Sequence, residues 1–148
     1  MNAFVLSPSA MGVNTAGDYL PIIEKYHVAI INRYDNTFES IRKGDLVIIA
    51  RGANWQKEVY FAGIVNSDES YSFSQDGVVL GDYARDLVDF IDLRGCSSEI
   101  PFNTDCTWGA SKNPGAIYAL KDDNPSDRAV ITSVLQKIAK EKHNTEMK

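Results

Sequence analysis

The residue types that most often bind metal ions or act as nucleophiles are scarce in this chain. It contains two cysteines, Cys96 and Cys106, and two histidines, His27 and His143. A structural zinc site needs about four such ligands, and these cysteines with one usable, distant histidine do not supply them. We therefore expect no metal ion. We also expect two reduced thiols near the surface rather than a disulfide, since no secretion signal is apparent.

Enzyme chemistry is not indicated by any motif. The sequence has no Gly-x-x-x-x-Gly-Lys-Ser/Thr phosphate loop, no Gly-x-Gly-x-x-Gly turn and no Gly-x-Ser-x-Gly elbow. His27 lies in an apolar segment, which favours a strand-end or core histidine over a catalytic base. The carboxylates of segment 82–92 are spaced as on a solvated strand face rather than as a catalytic pair: Asp82, Asp86, Asp89 and Asp92. These patterns favour a binding module without a cofactor over an enzyme.

Charge is distributed unevenly along the chain. The formal net charge is −5 at neutral pH, yet residues 33–57 carry five basic and three acidic residues. Residues 66–105 carry nine acids against Arg85 and Arg94. A protein that is acidic overall repels a polyanion at long range, so nucleic-acid binding would have to use the basic stretch. In most proteins an acidic balance indicates no more than solubility.

The length of 148 residues predicts one domain with its own core. We assign this domain to residues 1–138 and interpret the polar segment 139–148 as a C-terminal tail or linker. No apolar run approaches the ~18 residues of a membrane span. The first residues lack the basic and apolar regions of a signal peptide, so the expected location is the cytoplasm.

Apolar runs and turn residues predict six or seven strands and two or three helices. The strongest strands, Asp45–Arg51 and Glu58–Val65, flank a short turn and predict a central hairpin. The best-marked helix starts at the N-cap Asn124, with Pro125 in its first turn, and its apolar stripe ends at Ile138. The other predicted elements are strands 3–6, 27–33, 71–73, 87–93 and 116–120, and helices 18–26 and 38–43.

These elements do not alternate between strand and helix, which predicts an α+β fold. The central hairpin favours a small, curled, mixed β-barrel flanked by two or three helices. We find no internal repeat and no low-complexity segment.

Four short motifs follow one another in an informative order. Ile41–Ile49 contains Lys-Gly-Asp before an apolar strand, and Phe61–Val65 reads Phe-Ala-Gly-Ile-Val. Ile100–Phe102 is an apolar-Pro-Phe turn, and Ser111–Tyr118 is a loop that leads into a strand. With the final amphipathic helix, this order resembles the PUA-like superfamily, most closely its EVE and YTH branches. The resemblance covers residues 3–138 and implies the same small barrel.

The families that this chain resembles bind nucleic acid and hold one flipped, often methylated, base between aromatic walls. Some EVE- and YTH-like domains are the N-terminal specificity modules of McrBC-type modification-dependent restriction systems. The resemblance therefore implies a prokaryotic module whose main ligand is modified DNA, with RNA as the alternative ligand. It also implies a motor or nuclease protein as a further partner.

The resemblance also implies roles for individual residues. Tryptophans would form the walls, since stacking contributes ~1–3 kcal/mol per base. Asparagines would offer amide groups to the base edge, serines would add hydrogen bonds, and basic side chains would contact phosphates. The implied base-binding pocket contains Trp55, Trp108, Asn32, Asn113, Ser7 and Ser9. The implied phosphate contacts are Arg33, Arg42, Lys43, Arg51 and Lys57.

Two other classes of function stay open. The acidic segment 66–105 is also typical of an inhibitor or protein-interaction module that presents carboxylates in place of phosphates. Such a protein would bind another protein and ignore DNA. A PUA-like barrel related to ASCH domains would instead bind a small molecule or act as an enzyme, and it would need a carboxylate-lined pocket.

Overall fold

The computed structural model describes residues 1–8, 19–51, 58–103, 105–107 and 117–146. These residues form seven strands, three α-helices and a 3₁₀ turn at Ser97–Glu99. The strands are β1 (Ala3–Leu6), β2 (Val28–Ile31), β3 (Leu46–Arg51), β4 (Glu58–Val65), β5 (Tyr71–Gln75), β6 (Val78–Asp92) and β7 (Ile117–Ala119). The helices are α1 (Leu20–Tyr26), α2 (Asn36–Glu39) and α3 (Pro125–Glu146).

The strands build one curled, mixed sheet. Its order is β2-β6-β4-β3-β1-β7, and β5 joins it by pairing with β6. The β1–β3 pair is parallel, and the other strand pairs among the described residues are antiparallel. The sheet is a half-barrel flanked by helices, which confirms the predicted α+β class and the curled mixed sheet.

The sheet separates two apolar cores because its central strands are buried on both faces. In β1, Phe4 and Leu6 belong to the first core, whereas Ala3 and Val5 belong to the second. This division follows from the period of two residues along a strand. Residues of α1, α2 and β2 complete the first core, and α3 covers the second. Burial on both faces explains why the run Ala3–Leu6 is continuously apolar.

β3 and β4 form the predicted central hairpin. Gly63 of β4 lies where the strand packs closely on β6, since a Cβ atom here would lie 3.0 Å from the Cβ of Leu87. The β4–β6 register shifts at this point, and Asp89 adopts a φ of 51°. This is a β-bulge, which bends β6 and increases its twist.

β6 is longer than the predicted strand 87–93. It begins directly after the two-residue turn Asp76-Gly77, whose φ angles are 53° and 79°. Two positive φ values are typical of a type I′ turn, for which Asp-Gly is a favoured sequence. β5 and the first half of β6 therefore form a second hairpin, which the sequence analysis represented only by the short strand 71–73.

α1 ends at Tyr26, as predicted, and His27 follows as its C-cap with a φ of 53°. The exposed imidazole ring stacks on Phe90 with a centroid distance of 4.0 Å. His27 thus lies directly before β2, as expected of a strand-end histidine. The predicted helix start at residue 18 lies outside the described residues.

α3 begins where the sequence predicts and ends later. The Asn124 side chain accepts a hydrogen bond from the backbone N–H of Asp127 at 2.9 Å, and the apolar stripe up to Ile138 is buried against the sheet. The helix then continues to Glu146, within the segment 139–148 that was predicted to be a tail or linker. Alanine, lysine and glutamate at the start of this segment are strong helix formers, so the helix persists without further apolar contacts.

A buried carboxylate joins α3 to two loops. Asp127 is fully buried and accepts hydrogen bonds from the backbone N–H groups of Thr107 at 2.9 Å and Lys121 at 2.8 Å. The Thr107 hydroxyl donates a third hydrogen bond to it. Charge-assisted bonds of this kind are about twice as strong as neutral ones, so Asp127 fixes both loops to the start of α3.

Both cysteines are free thiols. Cys106 is fully buried in the second core, so the expectation that both thiols lie near the surface is wrong for this residue. Its loop turns inward because Asp127 holds the next residue, Thr107. Within the described ranges, no helix has the length and apolar character needed to cross a membrane.

Candidate functional site

The segment 32–34 connects β2 to α2 and carries an amide, a cation and an aromatic ring. The strand stops here because Asp35 caps the helix: its carboxylate accepts hydrogen bonds from the N–H groups of Thr37 at 2.8 Å and Phe38 at 3.0 Å. This cap starts α2 at Asn36 and not at residue 38, which corrects the predicted helix 38–43. The segment is therefore held between a buried strand and a capped helix.

Tyr34 is exposed and contacts a second tyrosine. Its ring lies edge-on to Tyr83, with centroids 6.0 Å apart and an interplanar angle of 75°. Tyr83 is half-buried on β6, opposite Ile31, so the sheet fixes its position. Because 58% of Tyr34 stays exposed, this ring can contact another molecule.

Asn32 carries an unusual acceptor. Its Oδ1 atom is buried, and no donor within the described residues hydrogen-bonds to it. An unsatisfied buried polar group costs about 1–3 kcal/mol, so a donor that reached this oxygen would be bound favourably. Arg33, next in the chain, is exposed. We call these four residues the β2-end cluster: Asn32, Arg33, Tyr34 and Tyr83.

Ser7 and Arg51 lie at the same end of two neighbouring parallel strands. Ser7 follows β1, Arg51 is the last residue of β3, and Leu6 of β1 is opposite Ile49 of β3. Both side chains are half-buried, and the Arg51 guanidinium lies 5.4 Å from the centre of the Tyr60 ring. The structure thus brings one predicted pocket residue, Ser7, and one predicted phosphate contact, Arg51, to the same end of the β1–β3 pair.

Tyr19 is hydrogen-bonded to the chain just after β1. Its backbone N–H donates a 2.9 Å hydrogen bond to the carbonyl of Pro8, just after β1. Burial raises the pKa of the Tyr19 hydroxyl, and the negative charge of Asp82 raises it further. Asp82 directly precedes Tyr83 on β6.

Arg42 and Lys43 lie at the other end of β3. They are exposed in the turn that precedes it, where the backbone N–H of Arg42 donates to Asp45 at 2.8 Å. β3 has six residues and therefore spans about 20 Å. The structure does not bring these two predicted phosphate contacts together with Arg51.

Five of the predicted site residues lie outside the described residues, and their roles stay predictions. They are Ser9, Trp55, Lys57, Trp108 and Asn113. Among the described residues, the sequence analysis missed Tyr34 and Tyr83. The run Asn-Arg-Tyr after a buried strand could have indicated Tyr34, whereas the contact with Tyr83 depends on the β2–β6 register.

The acids of segment 82–92 are exposed, as expected of a solvated face. Hydrogen bonds from Arg94 hold the pKa of Asp92 below its usual range, and Asp89 lies 3.9 Å from the Nζ of Lys142. Asp89 and Asp92 therefore belong to surface ion pairs.

A separate groove lies between β6 and the second half of α3. It encloses about 330 Å³ and is lined by apolar side chains that include Phe90 and Ile138. Asp89 and Glu141 contribute carboxylates to its wall. Among the described residues, none of those assigned to the base-binding pocket or to phosphate contacts lines this groove.

Comparisons with known proteins do not identify a relative. No protein-family model matches the sequence, and no curated protein matches it either.

Proposed function

We propose that this chain is a nucleic-acid-binding module of the PUA-like, EVE/YTH type that recognises a flipped, modified base. The curled half-barrel and the order of its motifs support the family. In this proposal the module is not an enzyme. It acts in the cytoplasm of a prokaryote, in modification-dependent restriction or defence, beside a motor or nuclease protein.

The observation that carries the proposal is the acceptor of Asn32 beside the exposed ring of Tyr34. Extruding a base from a duplex costs a few kcal/mol, and stacking on an aromatic ring returns ~1–3 kcal/mol. The unsatisfied Oδ1 of Asn32 would accept a hydrogen bond from the base edge. These two contacts together can offset the cost of extrusion.

Arg33, next to Asn32 in the chain, would supply a phosphate contact beside this base, and Arg51 would supply another at the end of β3. Since the net charge is −5, we expect weak binding that falls steeply as salt rises. Trp55 and Trp108 remain the implied walls of the pocket.

The first test is a titration at low salt with short duplexes that carry cytosine, 5-methylcytosine, adenine or N6-methyladenine, and with the matching RNAs. A preference of at least tenfold for one modified base, about 1.4 kcal/mol, would support the proposal. Equal binding to all of them, or no binding to any, would contradict it.

Variants of the β2-end cluster test the observation itself. Asn32→Ala should weaken binding about tenfold by removing the acceptor, whereas Asn66→Ala, at an exposed asparagine after β4, should not. Tyr34→Leu should weaken binding to a similar extent, and Tyr34→Phe should preserve it because the ring remains. Circular dichroism must show that each variant is folded. Loss of binding in Asn66→Ala, or full binding in Asn32→Ala, would refute this assignment.

The groove beside α3 supports a second candidate function, binding of a small molecule on the same barrel. Its volume lies within the range of small ligand sites, and Asp89 and Glu141 provide the carboxylates that this alternative needs. A fragment screen by NMR would favour it if amide shifts cluster at the groove and the chain ignores nucleic acid.

A further inference from the structure

In the described part of the chain, one edge of the β5–β6 hairpin has no strand paired to it. Among the described residues, β5 pairs with β6 alone. The register shifts between them place the additional residues on β6, so β5 itself stays regular. Ser72 and Ser74 are exposed. A regular, exposed edge strand presents backbone groups to which another extended chain can pair.

The side chains of this hairpin do not protect the edge. Natural edge strands are commonly protected by lysine or proline, but β5 reads Tyr-Ser-Phe-Ser-Gln. Val78 and Val79 stand next to the turn and are 59% and 54% exposed. Val79 lies opposite Ser74, so a small polar residue and an apolar one share the outer face. An incoming strand could therefore approach β5 closely, and its long side chains could reach over Ser74 to Val79.

The exposed charged side chains of the hairpin and of the loop before it, segment 66–86, are all acidic. The exposed acids of segment 66–86 lie before β5, at the turn and along β6: Asp68, Glu69, Asp76, Asp82 and Asp86. The single cation of this segment, Arg85, is 1% exposed. The exposed charges of segment 66–86 are therefore all negative. This segment attracts a basic partner and repels a nucleic acid.

We propose that the β5 edge docks an extended, basic segment of a partner protein by β-strand addition. Backbone pairing with β5 would provide affinity, long side chains that reach over Ser74 to Val79 would bury apolar area, and the nearby carboxylates would select lysine and arginine. A second copy of this chain fits poorly, because it would bring the same acids face to face. This inference goes beyond the proposed function and does not depend on it.

The test uses an alternating Lys-Val peptide of about nine residues, long enough to span β5, and the full chain labelled with ¹⁵N. We expect amide shifts and slower hydrogen exchange within 71–75, and weaker binding when salt rises from about 0.05 to about 0.5 M. A Glu-Val peptide, and the Lys-Val peptide N-methylated at alternate residues, should not bind. Equal binding of the N-methylated peptide would exclude strand addition and overturn the proposal.

Matched variants test the charge. Asp76→Asn with Asp82→Asn should weaken peptide binding about fivefold, whereas Asp122→Asn with Asp123→Asn, at exposed positions before α3, should not. Asparagine tolerates the positive φ of residue 76, so the hairpin should be retained. Protection of β5 by an oligonucleotide would overturn the proposal, as would self-association through β5 in sedimentation experiments without peptide. Equal weakening by both double variants would also overturn it.

Discussion

The guanidinium of Arg85 donates a 2.7 Å hydrogen bond to the backbone carbonyl of Ile41. The same group donates to the carbonyl of Ser67 at 2.8 Å and to its hydroxyl at 3.2 Å. Arg85 therefore joins β6 to the turn before β3 and to the loop after β4. Burial lowers its pKa, and nearby carboxylates, Glu39 first among them, oppose this effect.

Replacement of Arg85 should destabilise the fold strongly. Arg85→Met keeps much of the side-chain volume but leaves both carbonyls without their donor, and we expect a loss of about 3 kcal/mol. Arg85→Lys should recover only part of this loss, because an ammonium lacks the planar fork that reaches both acceptors. Urea unfolding measures the effect, with Arg128→Met at an exposed position of α3 as the control. Equal stability of the two methionine variants would contradict the role assigned to Arg85.

Gly81 lets β6 pack closely against β2. Among the glycines of the described residues, it has the least room for a side chain. A Cβ atom at this position would lie 2.4 Å from Cγ1 and 2.5 Å from Cδ1 of Ile30, which is fully buried. We expect Gly81→Ala to cost about 2 kcal/mol. Because Ile30→Ala removes both clashing atoms, the double variant should be more stable than the sum of the single losses predicts. Strict additivity in urea unfolding would show that the steric explanation is wrong.

The elements that the sequence predicted correctly are those with local signals. The central hairpin follows from two apolar runs around a turn, and the start of α3 follows from Asn124-Pro125. The first half of β6 was missed because bulges interrupt its alternation and a fully buried arginine, Arg85, lies within it. The last turns of α3 were missed because they have no apolar stripe. A buried cation held by backbone carbonyls has no local signature.

The candidate site, too, could be predicted only where its residues have local signals in the sequence. The resemblance implied the roles of Asn32 and Arg33, and both residues directly follow β2 in the structure. Their relation to Tyr83 depends on residues that are far apart in sequence and meet through the β2–β6 register. The separation of Arg42 and Arg51 follows from the length of β3. Sequence proximity had placed both in one basic stretch.

Lowering the pH should remove the stabilisation that the surface ion pairs of Arg94 provide. Arg94 donates hydrogen bonds to Asp92 and Glu24, and these bonds to Asp92 depress its pKa. The stabilisation is therefore present above the unfolded-state pKa of about 3.9 and is lost as pH falls through the lower folded-state value. Arg94→Gln should lower Tm at neutral pH and leave it unchanged near pH 2, measured by circular dichroism. A difference that persists in acid would show that Arg94 stabilises the fold by packing on Phe61 instead.

The effect of replacing a predicted phosphate contact should depend on the length of the bound nucleic acid. Arg51 ends β3, whereas Arg42 and Lys43 precede its first residue, about 20 Å along the strand. Arg51→Ala should reduce the slope of log K against log salt by about 1 with every ligand. Arg42→Ala with Lys43→Ala should reduce it only with a duplex of about 20 base pairs and not with an oligonucleotide of about four nucleotides. Fluorescence anisotropy at several salt concentrations measures both slopes, with Arg128→Ala as the control. If the double variant changes the slope for the short ligand, that ligand does not bind at the end of β3 that carries Arg51.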